Sequence, residues 1–122
     1  MKIHESAEDY LEAILMIRQE KGSVRSIDVA HKLNFSKPSV SRAVSLLREN
    51  GYITMQRDGL LELTDAGRKI AETIYERHIL ISNWLISMGV PEDVAAEDAC
   101  RMEHDVSPVT FEKLKEYITA HN

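Results

Sequence analysis

Apolar positions along the chain recur with two different periods. Residues 5–20 carry Tyr10, Leu11, Ile14, Leu15 and Ile17 near helical spacing, with Gly22 following as a stop, and this predicts an amphipathic helix. Residues 27–33 repeat the pattern more briefly, with Val29, Ala30 and Leu33 apolar and Ser26 as the expected cap. Asn34-Phe35-Ser36 is a tight connection. Pro38 then suits the first position of a third helix, which runs to Asn50-Gly51 and turns Val40, Ala43, Val44 and Leu47 inward. From there the period changes. Residues 52–56 and 60–63 are short β-rich runs flanking Arg57-Asp58-Gly59, and Asp-Gly between such runs is a strong hairpin signal. Thr64 caps a long helix through Ile70, Ile74, His78, Ile81 and Leu85 to Met88-Gly89. Pro91 opens another helix to about His104, and Ser107-Pro108 opens a last one through Tyr117.

Helix, short turn, second helix and basic-tipped hairpin match the winged helix-turn-helix plan, in which the second helix enters the DNA major groove. The expected class is mainly α: a winged helix-turn-helix over residues 1–63, followed by a helical domain over 64–122 that exceeds what a minimal DNA-binding module needs. With the apolar face of the third helix inward, Ser39, Ser41, Arg42, Ser45 and Arg48 face outward, beside Ser36 and Lys37 at its start. Small hydroxyls permit close approach to DNA. Arg42 is the first candidate for reading bases, because a guanidinium bridges the guanine acceptors bidentately. Lys37, Arg48 and the wing's Arg57 suit phosphates, which position a protein without reading sequence. Any one of these residues equally fits a solvated surface; their assembly on one helix beside a wing is what points to double-stranded operator DNA.

A formal net charge of −5 over 122 residues argues at first against nucleic acid. Its distribution reverses that impression: residues 21–63 hold seven Lys/Arg against four Asp/Glu, net +3, leaving −8 for the remainder. No apolar run approaches the roughly 18 residues of a membrane span, and the polar start from Met1 to Glu5 lacks a signal-peptide core, so a cytoplasmic protein without a membrane partner is expected. A single cysteine, Cys100, forms no internal disulfide and is open to being a thiol, a core residue or a ligand.

Cys100, Glu103 and His104 fall at i, i+3 and i+4, so a helix projects all three from one face as a ligand array. Asp9 and Glu12 repeat the i, i+3 relation on the first helix, and His78 lies midway along the long one. Each group has a plainer alternative. His78 alone suits a hydrogen-bonded helix histidine, Cys100 a small buried hydrophobe, and Asp9 with Glu12 a solvated helix start favoured by the macrodipole.

The segment Glu8-Asp9-Tyr10-Leu11-Glu12, the helix pair through Ser39-Val40-Ser41, the pair Arg77-His78 and above all Asp98-Ala99-Cys100-Arg101-Met102-Glu103-His104 resemble the diphtheria-toxin-repressor family. That family comprises metal-dependent transcriptional regulators responsive to iron or manganese, and the resemblance covers essentially the whole chain. It implies that residues 64–122 bind metal and dimerise, with Asp9 and Glu12 shared from the first domain. The chain looks like the short form, which lacks an SH3-like domain. By this resemblance Asp9, Glu12, His78, Glu103 and His104 match ligand positions of the manganese branch. Cys100 stands where that branch carries glutamate and the iron branch cysteine. Ser82 and Ala96 stand where the iron branch places an ancillary glutamate and a second histidine, and Asp9 where it places methionine. The set is a hybrid. Carboxylates suit Mn(II) and Fe(II), while imidazole and thiolate also favour Co(II), Ni(II) or Zn(II) as substitutes.

The function expected is a homodimeric, metal-dependent DNA-binding regulator, acting as a repressor that senses Mn(II) or Fe(II) and controls metal homeostasis genes. A near-complete switch requires about a 10⁴-fold preference of metal for the DNA-competent conformer. Coordination by neutral His78 and His104 makes metal affinity weaken below about pH 6. The dimer face is assigned to residues 79–90 and the last two helices, where Ile79, Leu80, Trp84, Leu85, Ile86 and Met88 offer more apolar surface than one small module buries. The alternative is a winged-helix regulator answering to a small organic ligand or to no effector. A metallohydrolase is disfavoured: there is no His-Glu-x-x-His motif, and ligands from three helices leave little open coordination for substrate.

Overall fold

Residues 5–121 are described by a computed structural model of the protein, so the polar start from Met1 to His4, which carries the signal-peptide expectation, lies outside the described residues. The elements follow in the order α1 (Glu5–Lys21), α2 (Ser26–Leu33), α3 (Lys37–Glu49), β1 (Ile53–Met55), β2 (Leu61–Leu63), α4 (Asp65–Ser87), α5 (Glu92–Asp105) and α6 (Pro108–Ala120). The class is mainly α, as the periodicity predicts. Two compact units divide the chain, one ending at Glu72 and the other beginning at Thr73.

In the first unit α1 packs against α2, α3 and β2. Leu11, Ile14, Val24, Val29, Val40, Ile53 and Leu61 are almost wholly excluded from solvent. Each such side chain stabilises the fold by about 1.5–3 kcal/mol relative to exposure. Of the predicted inner face of α3, Val40, Val44 and Leu47 are buried and Ala43 is half-buried.

The start of α2 differs from expectation. Ser26 is the first helical residue, and the capping position falls to Arg25. The reason is Asp28, whose carboxylate accepts the Arg25 amide at 2.9 Å and the Lys21 ammonium at 2.8 Å. These bonds hold the Asp28 carboxyl below its usual range, with Lys21 the larger cause and the Arg25 amide the next. A depressed folded pKa means stability that is fully present above the unfolded carboxylate value of about 3.9 and is lost as pH falls through the folded one. Asp28→Ala is expected to cost about 1 kcal/mol in urea unfolding at pH 7, the usual size of a lost cap. That difference should vanish in the same measurement at acid pH; a gap independent of pH would show that the carboxylate is not what holds the turn.

Asn34, with φ of 57°, ends α2 in the left-handed region that asparagine tolerates, and the Phe35 amide returns to Ala30 O at 3.1 Å. Ser36 caps α3: its Oγ accepts the Ser39 amide at 3.3 Å and donates to Ser39 Oγ at 2.9 Å. The helix therefore opens on Lys37, one residue before Pro38.

The wing is antiparallel, with Ile53 opposite Leu63, Thr54 opposite Glu62 and Met55 opposite Leu61. Its strands are shorter than predicted: residues 56 and 60 continue the register only as the pair that closes the turn, and the Tyr52 amide is taken by the end of α3. Gln56 N donates to Leu60 O at 2.9 Å to close the turn, and Tyr52 N returns to Leu47 O at 3.0 Å at the end of α3. Gly59 takes the positive φ, 88°, that the Asp-Gly signal anticipates. Leu61 N also donates to Val24 O at 2.8 Å, which lays the α1–α2 connection along β2. Thr64 caps α4, accepting the Gly67 amide at 3.2 Å and donating to Gly51 O at 2.7 Å, so one hydroxyl joins the wing, the end of α3 and the start of α4.

In the second unit Ile74 and Ile81 of α4, Ala95 and Ala99 of α5, and Phe111 and Ile118 of α6 are buried. The two alanines give α5 a smooth face for close helix packing. Ser107 caps α6 by accepting the Thr110 amide at 3.2 Å. The helix continues to Ala120 rather than stopping near Tyr117, since no glycine or proline intervenes, and His121 stacks on Tyr117 with ring centroids 4.0 Å apart. Of the residues assigned to a dimer face, Ile79, Ile86 and Met88 are exposed and Leu80, Trp84 and Leu85 half-buried, and Val94, Val109 and Tyr117 add further exposed apolar surface in this unit.

Candidate metal centre and nucleic-acid interface

Glu103 follows Ala95 and Ala99 at four-residue steps, so the smooth face of α5 ends in a carboxylate that is 0% exposed. Its Oε2 lies 2.9 Å from Nδ1 of His78 on α4. Its Oε1 is buried, has no hydrogen-bond partner, and lies 3.5 Å from Nε2 of the next residue, His104. The side chains of His78 and His104 are themselves only 19% and 2% exposed. Burying a carboxylate costs several kcal/mol unless its oxygens are satisfied. A buried carboxylate with one oxygen on His78 and the other orphaned near His104 is therefore an arrangement that a cation completes. Cys100 is exposed, and its Sγ lies within 4.8 Å of a Glu103 carboxylate oxygen. One carboxylate, two imidazoles and a thiol form a donor set suited to a first-row divalent ion, so the residues present fit such a group.

Four of the six predicted ligands thus gather within the second unit. Asp9 and Glu12 belong to α1 of the first unit, where Asp9 is half-buried and Glu12 is 6% exposed, so the latter is no solvated helix start. Sequence reasoning missed the part played by Arg77. Buried at 8% exposure, it donates through Nη1 to Glu103 O at 2.9 Å and to Val106 O at 2.6 Å. An arginine on a helix face otherwise occupied by Ile74 and Ile81 was the available signal.

On the first unit, Ser36, Lys37, Ser41, Arg42, Ser45 and Arg48 are exposed along α3, and Arg57 is exposed at the wing turn. Ser39 is half-buried and its hydroxyl is engaged by Ser36, so both serines serve the helix start before any other partner. The Arg48 guanidinium lies 4.0 Å from Met55 Sδ, towards the wing. No helix among the described residues is long and apolar enough to cross a membrane.

Two family models cover nearly the whole chain: "Iron dependent repressor, N-terminal DNA binding domain" matches residues 2–61, and "Iron dependent repressor, metal binding and dimerisation domain" matches residues 64–121. The chain is 34% identical over 117 residues to the transcriptional regulator MntR of Escherichia coli O6:H1, covering 96% of this chain and 76% of that protein. It is 32% identical over 113 residues to the HTH-type transcriptional regulator MntR of Bacillus subtilis (strain 168), covering 93% and 80%. Among solved structures, the manganese regulator SloR aligns at a TM-score of 0.82 and 28% identity, covering 98% of this chain and 55% of that one. A manganese-dependent transcriptional repressor in complex with manganese aligns at 0.84 and 26%, covering 93% and 52%. The chain spans about half the length of those two structures. With its winged helix-turn-helix and these matches across both units, the chain belongs to the iron-dependent repressor family, that of the diphtheria-toxin repressor, whose members are metal-dependent, DNA-binding transcriptional regulators.

Proposed function

We propose that the protein is a homodimeric, cytoplasmic repressor of metal homeostasis genes that grips double-stranded operator DNA when Mn(II) or Fe(II) is bound. The observation that carries this reading is the wholly buried Glu103 carboxylate, whose Oε2 meets His78 and whose Oε1, beside His104, has no hydrogen-bond partner. Glu103, His78 and His104 would hold the ion, with Cys100 and the α1 carboxylates Asp9 and Glu12 completing the candidate set. The bound cation supplies positive charge where like-charged carboxylates otherwise repel. Residues 1–63 act as the DNA-binding domain and residues 64–122 as the metal-binding and dimerisation domain. Arg42 reads bases, Ser36, Ser39 and Ser41 approach the groove, and Lys37, Arg48 and Arg57 contact phosphates. The thiol makes Co(II), Ni(II) and Zn(II) workable substitutes in vitro. The protein acts as a regulator and not as an enzyme.

Selection of operator sequences from a random duplex pool, with and without chelator and across Mn(II), Fe(II), Co(II) and Zn(II), tests the reading. Enrichment only with metal is expected, and Arg42→Ala should lose about 10-fold or more in discrimination at one guanine while keeping its metal response. Selection indifferent to chelator would favour a regulator with an organic effector or none.

A further inference from the structure

Arg77 is a costly residue to bury, since a guanidinium taken out of water carries a desolvation penalty of several kcal/mol. A helix needing only to pack would be served by leucine or methionine at that position. What the guanidinium does is specific. α5 ends at Asp105, so the Glu103 carbonyl lies in its last turn and has no partner within the helix. Nη1 of Arg77 bonds that carbonyl and the Val106 carbonyl just beyond the helix end, and a cation there also complements the macrodipole. The guanidinium carbon lies 5.2 Å from the centroid of Phe111, a buried residue of α6, which fixes the plane of the fork. Cys100, Glu103 and His104 all sit in the last two turns of α5, the part of any helix that frays first. Arg77 also immediately precedes His78, whose Nδ1 meets the Glu103 carboxylate. One step along α4 therefore separates the residue that clamps the Glu103 backbone from the residue that engages its side chain.

We infer that Arg77 is a positioning residue of the metal centre: by clamping the end of α5 to α4 and α6 it holds the α5 ligands in place before any ion arrives, and so sets metal affinity without touching the metal. This rests on the metal-centre reading above. Supporting groups behind metal ligands are worth about 10–100-fold in affinity.

The test uses the full chain, stripped of metal and titrated with Mn(II) under chelator competition, together with the visible spectrum of the Co(II)-saturated protein. Arg77→Met is expected to bind the same number of ions about 10–100-fold more weakly and to give an altered Co(II) spectrum. Arg77→Lys, whose ammonium keeps the charge and reaches the carbonyls without the rigid fork, should recover most of the affinity. Wild-type affinity in folded Arg77→Met overturns the inference. So does weaker binding with a wild-type Co(II) spectrum, which reports destabilisation alone. Should Arg77→Met fail to fold, Arg77→Lys decides: a modest loss with a shifted spectrum is expected, and wild-type values in both readouts overturn it. Failure of the wild-type chain to bind Mn(II), or wild-type binding by Glu103→Gln, instead removes the metal centre and is a separate outcome.

Discussion

Glu103→Gln is expected to abolish the metal response while leaving the apo fold intact. Glutamine matches the shape of the buried side chain but carries no charge, and where the carboxylate has its orphaned oxygen it offers only a neutral amide, a weak metal donor. The wild-type chain at metal concentrations about 100-fold above its Kd should gain roughly 2.7 kcal/mol, or on the order of 10 °C in Tm at low protein concentration. The variant should gain almost nothing. Metal-dependent operator binding should fall by more than about 100-fold, since a switch of this kind needs several kcal/mol of differential metal affinity. Thermal melts with and without Mn(II), and gel shifts on a selected operator, make the measurement. A variant that still melts higher with metal would take Glu103 out of the ligand set. One that is unfolded even without metal would show that the carboxylate's bond to His78 is needed by the helix packing itself.

Gly67→Ala should be the most damaging single substitution in the DNA-binding unit, although helix propensity alone predicts the opposite. In an exposed helix, alanine is better than glycine by about 1 kcal/mol. Gly67 is buried in the first turn of α4, however, and a Cβ there would collide with the backbone carbonyl of Tyr52. That backbone has no room to yield. Tyr52 O accepts the Thr64 amide and Tyr52 N donates to Leu47 O, each at 3.0 Å, so a shift breaks the joint between α3, the wing and α4. A net loss of about 3 kcal/mol in urea unfolding is expected, at the upper end for overpacking. The wing carrying Arg57 would be re-aimed, so operator affinity should drop even in the folded fraction. Unchanged stability would mean that the start of α4 can move away from Tyr52.

By itself the sequence determined the elements and their order. Local signals suffice where one residue or one period decides: the i, i+3, i+4 stripes of α1 and α3, the Asp-Gly turn of the wing, the Thr64 cap and the helix opening at Ser107-Pro108 all appear in the structure. It also singled out Cys100, Glu103 and His104 as one face of a helix, since their i, i+3, i+4 spacing holds whatever packs against it, while Asp9, Glu12 and His78 were joined to that candidate set by the family resemblance. Tertiary structure alone decided which carboxylate is buried, where each element stops, and what holds the site together. Ser26 lost the cap of α2 to Arg25 because Asp28 is bonded by Lys21 from α1, across seven residues. Arg77 became a clamp because the end of α5 and the ring of Phe111 come to it from 26 residues and more away along the chain. Gly67 has no room for a Cβ because the Tyr52 carbonyl approaches it. Periodicity records which face of an element is apolar; it holds no record of which polar atom arrives on the other side, and at a buried charge that arrival sets the chemistry.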